Sequence, residues 1–370
     1  MTKIEHLVLC GGGPVGLVQY GALKYLTNNN FLLISNVKSI YATSIGCIIS
    51  FIYILNLDWS WMDDFLIKRP WEKLVNFTPY DYIAMFYNKG LLNLNFVKKC
   101  LQPLFFAKDI DIEITLKEFY DLTNIEFNLY TCNFTKFEKE KLNYINNPNL
   151  PVIEAIYMSL TIPLLCVPFY KNDSFYFDGG ILVVCPLNEC IADKGCDLSS
   201  ILCFKNDKTN PIDLSNSYYN NYYKDVSGAF TDNNSKHVDY RENSQHSDLI
   251  TNNSNLIELV IFIIKTLFHK ISVIENNDIT IDNSINVSLT EQMVNIGYWQ
   301  HAFTCESERV YLINLGIQQG EKYITQQTQQ TQQTQQTQQT QQTQQTQQTQ
   351  QTQQTQQTQQ TQQIQQIQQT

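Results

Sequence analysis

Apolar and polar positions alternate between two periods along the first part of the chain. His6–Cys10 is a strand-length apolar run, followed by a glycine cluster and then a helical pattern from about Gly16 to Leu26. Ser39–Thr43 reads as a second buried strand and Ile45–Leu57 as an apolar helix. This strand–loop–helix–strand–turn–helix order predicts a mostly parallel sheet covered by helices on both faces, a three-layer α/β fold. Farther on, Ile125–Phe134 and Ser174–Phe177 are predicted strands, with a short helix at Val152–Ser159 between them. Ser200–Phe204 and Arg309–Leu315 are predicted as late strands, with helices near Leu256–Ile271 and Thr290–Phe303.

The pattern fails in two places. From about Lys205 to Asn255 the chain is rich in Asn, Ser, Asp and Tyr with little periodicity, which predicts a long insertion or mobile loop. Its run Tyr218-Tyr219-Asn220-Asn221-Tyr222-Tyr223 fits a solvated loop of biased composition better than an aromatic lid. From Thr325 to Thr370 the sequence repeats Gln-Gln-Thr, interrupted by Ile364 and Ile367. Such a tail has almost nothing to bury and is expected to be disordered. The predicted organisation is one domain over residues 1–320, with the 205–255 segment inserted in it, and a tail over 325–370.

Composition narrows the partners. The chain has 370 residues and a formal charge of −10, with no basic block. That excludes nucleic acid, whose phosphates need Lys and Arg, and purely electrostatic recruitment to anionic membranes. The start, Met1-Thr2-Lys3-Ile4-Glu5-His6, lacks the apolar segment of a signal peptide. Ile45–Leu57 and Leu256–Ile271 fall short of the roughly 20 apolar residues of a membrane-spanning helix. The ten cysteines are irregularly spaced and read as reduced thiols of an intracellular protein, cytoplasmic or peripheral to membranes. The tightest group, Cys185, Cys190, Cys196 and Cys203, lacks the paired spacing of a zinc site, so no metal is expected.

Three motifs carry chemistry. Leu9-Cys10-Gly11-Gly12-Gly13-Pro14-Val15-Gly16 lies where the first strand meets the first helix. Its glycines let backbone N–H groups turn outward, and the helix N-terminus adds about half a positive charge, so the loop suits an anion. Gly11, Gly13 and Gly16 also satisfy a dinucleotide fingerprint, but the second strand ends in Tyr41-Ala42-Thr43-Ser44 and lacks the acid that site needs. No Lys-Ser/Thr pair follows the glycines, which removes a P-loop. Next, Ala42-Thr43-Ser44-Ile45-Gly46 sits where strand gives way to helix, the setting of a G-x-S-x-G nucleophile elbow with Ala42 in place of the first glycine. Taken alone, Ser44 reads more readily as a helix N-cap than as a nucleophile. Third, Tyr176-Phe177-Asp178-Gly179-Gly180 puts an aspartate at a strand end before two glycines, which alone is ordinary turn chemistry.

In this order and spacing, the three motifs resemble those of the patatin-like phospholipases, a family of lipid acyl hydrolases. Ser159-Leu160-Thr161-Ile162-Pro163 and Val167-Pro168, ahead of the third motif, add to the likeness, which spans roughly Ile4 to Leu187. The resemblance implies a patatin-like fold and a Ser–Asp dyad, with Ser44 as nucleophile and Asp178 as general base. It implies an oxyanion hole from backbone N–H groups in the set Gly11, Gly12, Gly13, Val15 and Gly16, Pro14 having none to give. Gly179 and Gly180 would let the chain turn so that the carboxylate reaches Ser44. The substrate implied is a fatty acyl ester of a phospholipid or related lipid, met during transient peripheral membrane contact, with no metal or cofactor. An aspartate at its ordinary pKa of about 3.9 is a poor base, so Asp178 is expected to be partly desolvated.

Three positions depart from the family pattern: Val15 stands where Lys or Arg is frequent, Ala42 replaces glycine, and Val183-Val184-Cys185-Pro186 stands where Asn-x-Pro is common. No reacting group is lost. Transfer of the acyl group to an alcohol, and a non-catalytic lipid-binding relative, are the alternative functions. Within hydrolases, the order Ser44, Asp178, His301 also matches a His-based triad, although His301 lies in a helical pattern.

Overall fold

Buried apolar runs supply the middle of one mixed sheet. The computed structural model describes residues 3–75, 77–195, 197–207, 279, 281–288 and 296–367. In chain order the elements are β1 (His6–Leu9), α1 (Val15–Asn28), β2 (Ser39–Thr43), α2 (Ile45–Leu55), α3 (Trp59–Asp63), α4 (Pro79–Asn88), α5 (Leu94–Ala107), α6 (Leu116–Thr123), β3 (Glu126–Asn133) and β4 (Glu138–Leu142). Then follow α7 (Val152–Leu160), β5 (Phe169–Lys171), β6 (Ser174–Asp178), α8 (Leu187–Lys194), β7 (Ile201–Asp207), β8 (Ser284–Ser288), α9 (Ile296–Thr304) and α10 (Glu306–Ile367).

The strands lie in the order β5-β6-β3-β2-β1-β7-β8, with β4 also paired to β3. The pairs among β3, β2, β1, β7 and β8 are parallel, whereas β4, β5 and β6 pair antiparallel. Helices flank the sheet on both sides, as the alternating pattern predicts. Val8 faces α8 in a cluster with Tyr41, Tyr130, Ile201 and Cys203, while Leu7 and Leu9, on the opposite face of the same strand, are equally inaccessible.

One detail of register sets the site. β2 pairs with Glu126–Tyr130 of β3, and β6 pairs with Thr131–Asn133, while β4 pairs with Leu129–Asn133. β3 has only two edges, so β4 occupies one and β2 and β6 share the other. β2 runs parallel to β3 and β6 antiparallel, so the two strands meet by their carboxyl ends at Tyr130 and Thr131. The residues that leave those ends are Ser44 and Asp178.

Two sequence expectations are overturned. Arg309–Leu315 lies in helix α10, not in a strand. Its buried positions Glu308 and Arg309, Leu312 and Ile313, Gly316 and Gly320 recur at helical spacing, a period that seven residues read in isolation do not reveal. The Gln-Gln-Thr segment is helical to Ile367 rather than disordered. A helix satisfies its backbone groups internally, and glutamine is a fair helix former. Threonine hydroxyls also donate to carbonyls four residues back, as Thr325 does to Glu321 O at 2.9 Å. The chain forms two compact units, Met1–Gly320 and Glu321–Thr370. The expected helix at Leu256–Ile271, and the insertion beyond Asp207, lie outside the described residues. Among the described residues, no helix is long and apolar enough to cross a membrane.

Candidate active site

Ser44 follows β2 with φ 53° and ψ −128°, a conformation that a non-glycine residue adopts only under restraint, at a cost of about 1–3 kcal/mol. Its backbone N–H donates to Ser159 Oγ at 2.9 Å, and Ser159 Oγ donates onward to Tyr130 O at 2.6 Å. The Cys47 thiol adds a 3.2 Å contact to the same oxygen. Helix α7 thus holds the elbow from behind. Close packing of α2 against β1 is also required: a Cβ at Gly46 would lie 2.5 Å from Leu9 O. Although Ser44 occupies the N-cap position of α2, its side chain makes no capping bond. Its hydroxyl donates instead to Asp178 Oδ2, 2.6 Å away.

Asp178 ends β6 and is buried, with its backbone N–H donating to Thr161 O at 2.8 Å. Its other carboxylate oxygen, Oδ1, accepts from the Gly180 N–H at 2.7 Å. Burial raises the pKa to about 6, against the opposing pull of the Ser44 hydroxyl and the Gly180 N–H. A carboxylate so placed is ionised at neutral pH yet basic enough to take a hydroxyl proton.

The glycine loop supplies fewer donors than the sequence reading lists. The Gly11 N–H is committed to Val184 O at 2.9 Å, and the Val15 and Gly16 N–H groups bond back to Gly12 O and Gly13 O. The N–H groups of Gly12 and Gly13 make no hydrogen bond among the described residues. Gly13 has φ 57°, and a Cβ there would fall 2.6 Å from the Trp299 ring. The loop carbonyls are tied off by two side chains: Gln19 Nε2 donates to Cys10 O at 2.9 Å and Asn206 Nδ2 to Gly11 O at 2.6 Å. Because a trans peptide sets its C=O and N–H in opposite directions, the bond to Asn206 turns the Gly12 N–H away from β7.

Ser159 and Asn206 are positioning residues that carried no motif of their own. Ser159 lay in the small-residue run before Ile162-Pro163, without an assigned role. Asn206 is an unremarkable polar residue at a strand end. Val15, where the family often has a cation, is fully buried in a cluster with Val18, Val287, Ala302 and Leu312. His301 faces Glu308, with 3.8 Å between Nε2 and Oε2, and no imidazole intervenes between Ser44 and Asp178. The thiols of Cys10, Cys185 and Cys203 gather within 4.8 Å of one another, a grouping that spacing along the chain does not suggest. Cys190 packs in the adjoining core, and Cys196 lies outside the described residues.

Compared with known proteins, residues 7–191 match the family described as Patatin-like phospholipase, a stretch that contains all three motifs. Over 179 residues the chain is 26% identical to a probable lipid hydrolase of Invertebrate iridescent virus 6, covering 48% of this chain and 60% of that protein. Over 223 residues it is 24% identical to an uncharacterized protein of Acanthamoeba polyphaga mimivirus, covering 56% of this chain and 68% of the other. The likeness therefore spans less than two thirds of the iridescent-virus protein. Among solved structures, VipD from Legionella pneumophila aligns with a TM-score of 0.45 at 17% identity, over 87% of this chain and 67% of that one.

Proposed function

Because this chain belongs to the patatin-like phospholipase family, we propose that it hydrolyses fatty acyl esters of phospholipids or related lipids through an acyl-serine intermediate. The family, together with a viral relative named as a probable lipid hydrolase, supports lipid hydrolysis in general. The finer reading, Ser44 as nucleophile and Asp178 as general base, is carried by one observation: the 2.6 Å bond from Ser44 Oγ to Asp178 Oδ2.

In the proposed reaction Ser44 Oγ attacks the ester carbonyl carbon while its proton passes to Asp178 Oδ2. The carbonyl oxygen becomes an oxyanion, met by the N–H groups of Gly12 and Gly13 and by the positive end of α1. Collapse expels the alcohol, which takes the proton from Asp178. Water then attacks the acyl-serine and gives its proton to Asp178. The second collapse returns that proton to Ser44 Oγ and releases the fatty acid.

Peripheral contact with a lipid surface belongs to the same reading and is supported by α4. This helix has no buried residue and exposes Tyr80, Tyr82, Ile83, Phe86 and Tyr87. Aromatic and aliphatic side chains displayed together on one short helix suit the interfacial zone of a bilayer. The chain leaving α4 is bonded to the segment before β5, through Leu91 and Leu92 N–H to Leu165 O and Val167 N–H to Leu92 O. That segment begins at Thr161, whose carbonyl accepts from Asp178. The apolar helix and the reacting carboxylate are thus joined by a short bonded path.

The test is a lipid panel assayed by mass spectrometry with wild type and Ser44→Ala, alongside labelling by a fluorophosphonate. Labelling at Ser44 with release of free fatty acid in the wild type alone is the expected result. A wild type that neither labels nor releases fatty acid overturns the reading.

A further inference from the structure

The three thiols beside the glycine loop come from three separate parts of the chain. Cys10 directly precedes Gly11, Cys203 lies on β7 opposite Val8 of β1, and Cys185 follows Val184, whose carbonyl binds the Gly11 N–H. All three are free cysteines, their sulfurs lie within 4.8 Å of one another, and Cys185 Sγ stands 3.6 Å from Cys203 Sγ. Cys10 and Cys203 are inaccessible, and Cys185 is half-buried.

We propose that Cys10, Cys185 and Cys203 form a three-thiolate site for a soft divalent d10 cation of the zinc class, open at its fourth position on the side of Cys185. Distance and charge support it. A cation about 2.3 Å from each sulfur sets the sulfurs about 3.8 Å apart in tetrahedral geometry and about 4.0 Å apart in trigonal geometry. Cys185 and Cys203 already stand near those separations and Cys10 lies within 4.8 Å of both, so closing the site needs side-chain movements of no more than about 1 Å. Three thiolates and one divalent cation leave a single negative charge, costly in an apolar setting unless it is balanced. The Lys205 ammonium acts on both Cys185 and Cys203 and supplies the balance. Thiolate ligands select zinc-class and Cu(I) ions over oxygen-seeking ones, and the divalent ion gives neutrality here. Binding is a substitution without redox change: the protons that the three sulfurs hold leave to solvent as three metal–sulfur bonds form. The ion would bridge the two sides of the Gly11–Val184 bond and brace the base of the glycine loop.

The experiment titrates the reduced, metal-free full chain with Cd²⁺ alone, following thiolate-to-metal charge-transfer absorption and proton release. One equivalent with release of two to three protons is expected, reversed by excess EDTA. Cys185→Ser, checked by circular dichroism without metal, should weaken that equivalent by more than about 100-fold. In the wild type, Zn²⁺ should slow alkylation of Cys185 by iodoacetamide and leave Cys305 unprotected, a readout that does not depend on any variant folding. Absence of a stoichiometric band, or an unchanged affinity in Cys185→Ser, or Cys185 alkylation indifferent to Zn²⁺ overturns the proposal.

Discussion

Ser44 Oγ and Asp178 Oδ2 are 2.6 Å apart although 134 positions separate the residues along the chain. Their meeting follows from β2 and β6 sharing one edge of β3 from opposite directions, so that two strand ends converge at Tyr130 and Thr131. Each residue is also restrained by its own turn, Ser44 through Ser159 and Asp178 through Gly180.

Replacing Asp178 with Asn removes the proton acceptor and nearly preserves shape. Turnover should fall by about 10²–10⁴-fold, whereas His301→Ala should leave it unchanged. Stability should move the other way. The native pKa near 6 lies above the ordinary 3.8, so the native state holds its proton more tightly, and stability falls as pH rises between those values. Asp178→Asn should therefore be more stable than wild type at pH 7–8, by on the order of 3 kcal/mol at most, and melt at a higher temperature. Thermal melts at both ends of that window check the sign.

The same shift sets the acid limb of the rate. Activity should rise with pH through about 6, as Asp178 loses its proton. The measurement is kcat/KM against pH on a neutral ester. An acid limb centred near 4 would contradict the desolvated base.

Ser159→Ala leaves the Ser44 N–H without its acceptor in a buried site, worth about 1–3 kcal/mol of stability. The relaxed elbow should lower kcat by up to about 10²-fold. Fluorophosphonate labelling should slow while still occurring at Ser44, since the nucleophile itself remains.

Asn206→Asp keeps size and places an acceptor against the Gly11 carbonyl. The loop peptide should reorient, and kcat should fall toward the 10²–10³-fold of a lost oxyanion donor, with KM little changed. A steady-state comparison on one ester decides it; a change confined to KM would argue against this role.

Substituting Tyr80, Phe86 and Tyr87 together with Ser tests α4 as a lipid-facing surface. Binding to phosphatidylcholine vesicles should weaken by about tenfold per residue. Hydrolysis of a short, dispersed ester should be untouched, because no residue of α4 belongs to the dyad or its supports.

Local chemistry was legible from the residues alone. Continuous apolar runs marked β1 and β2, small residues marked the elbow, and three glycines before a helix marked an anion loop, since each feature depends on neighbours a few positions away. Contacts between distant segments were not. The family resemblance implied five residues for the oxyanion hole, yet the carbonyls of Val184, Gly12 and Gly13 take three of their N–H groups. Ser159 stood in a family-like run without a role of its own and Asn206 in no motif, because their value lies in which carbonyl or N–H the folded sheet sets against them. Cys10 gave no sign of joining Cys185 and Cys203, and Arg309–Leu315 became helix once its longer period could be seen. Dihedral preference and hydrophobic period act over a few residues and so are written in the chain itself. Strand register acts over a hundred or more, and it alone decided which hydroxyl meets which carboxylate.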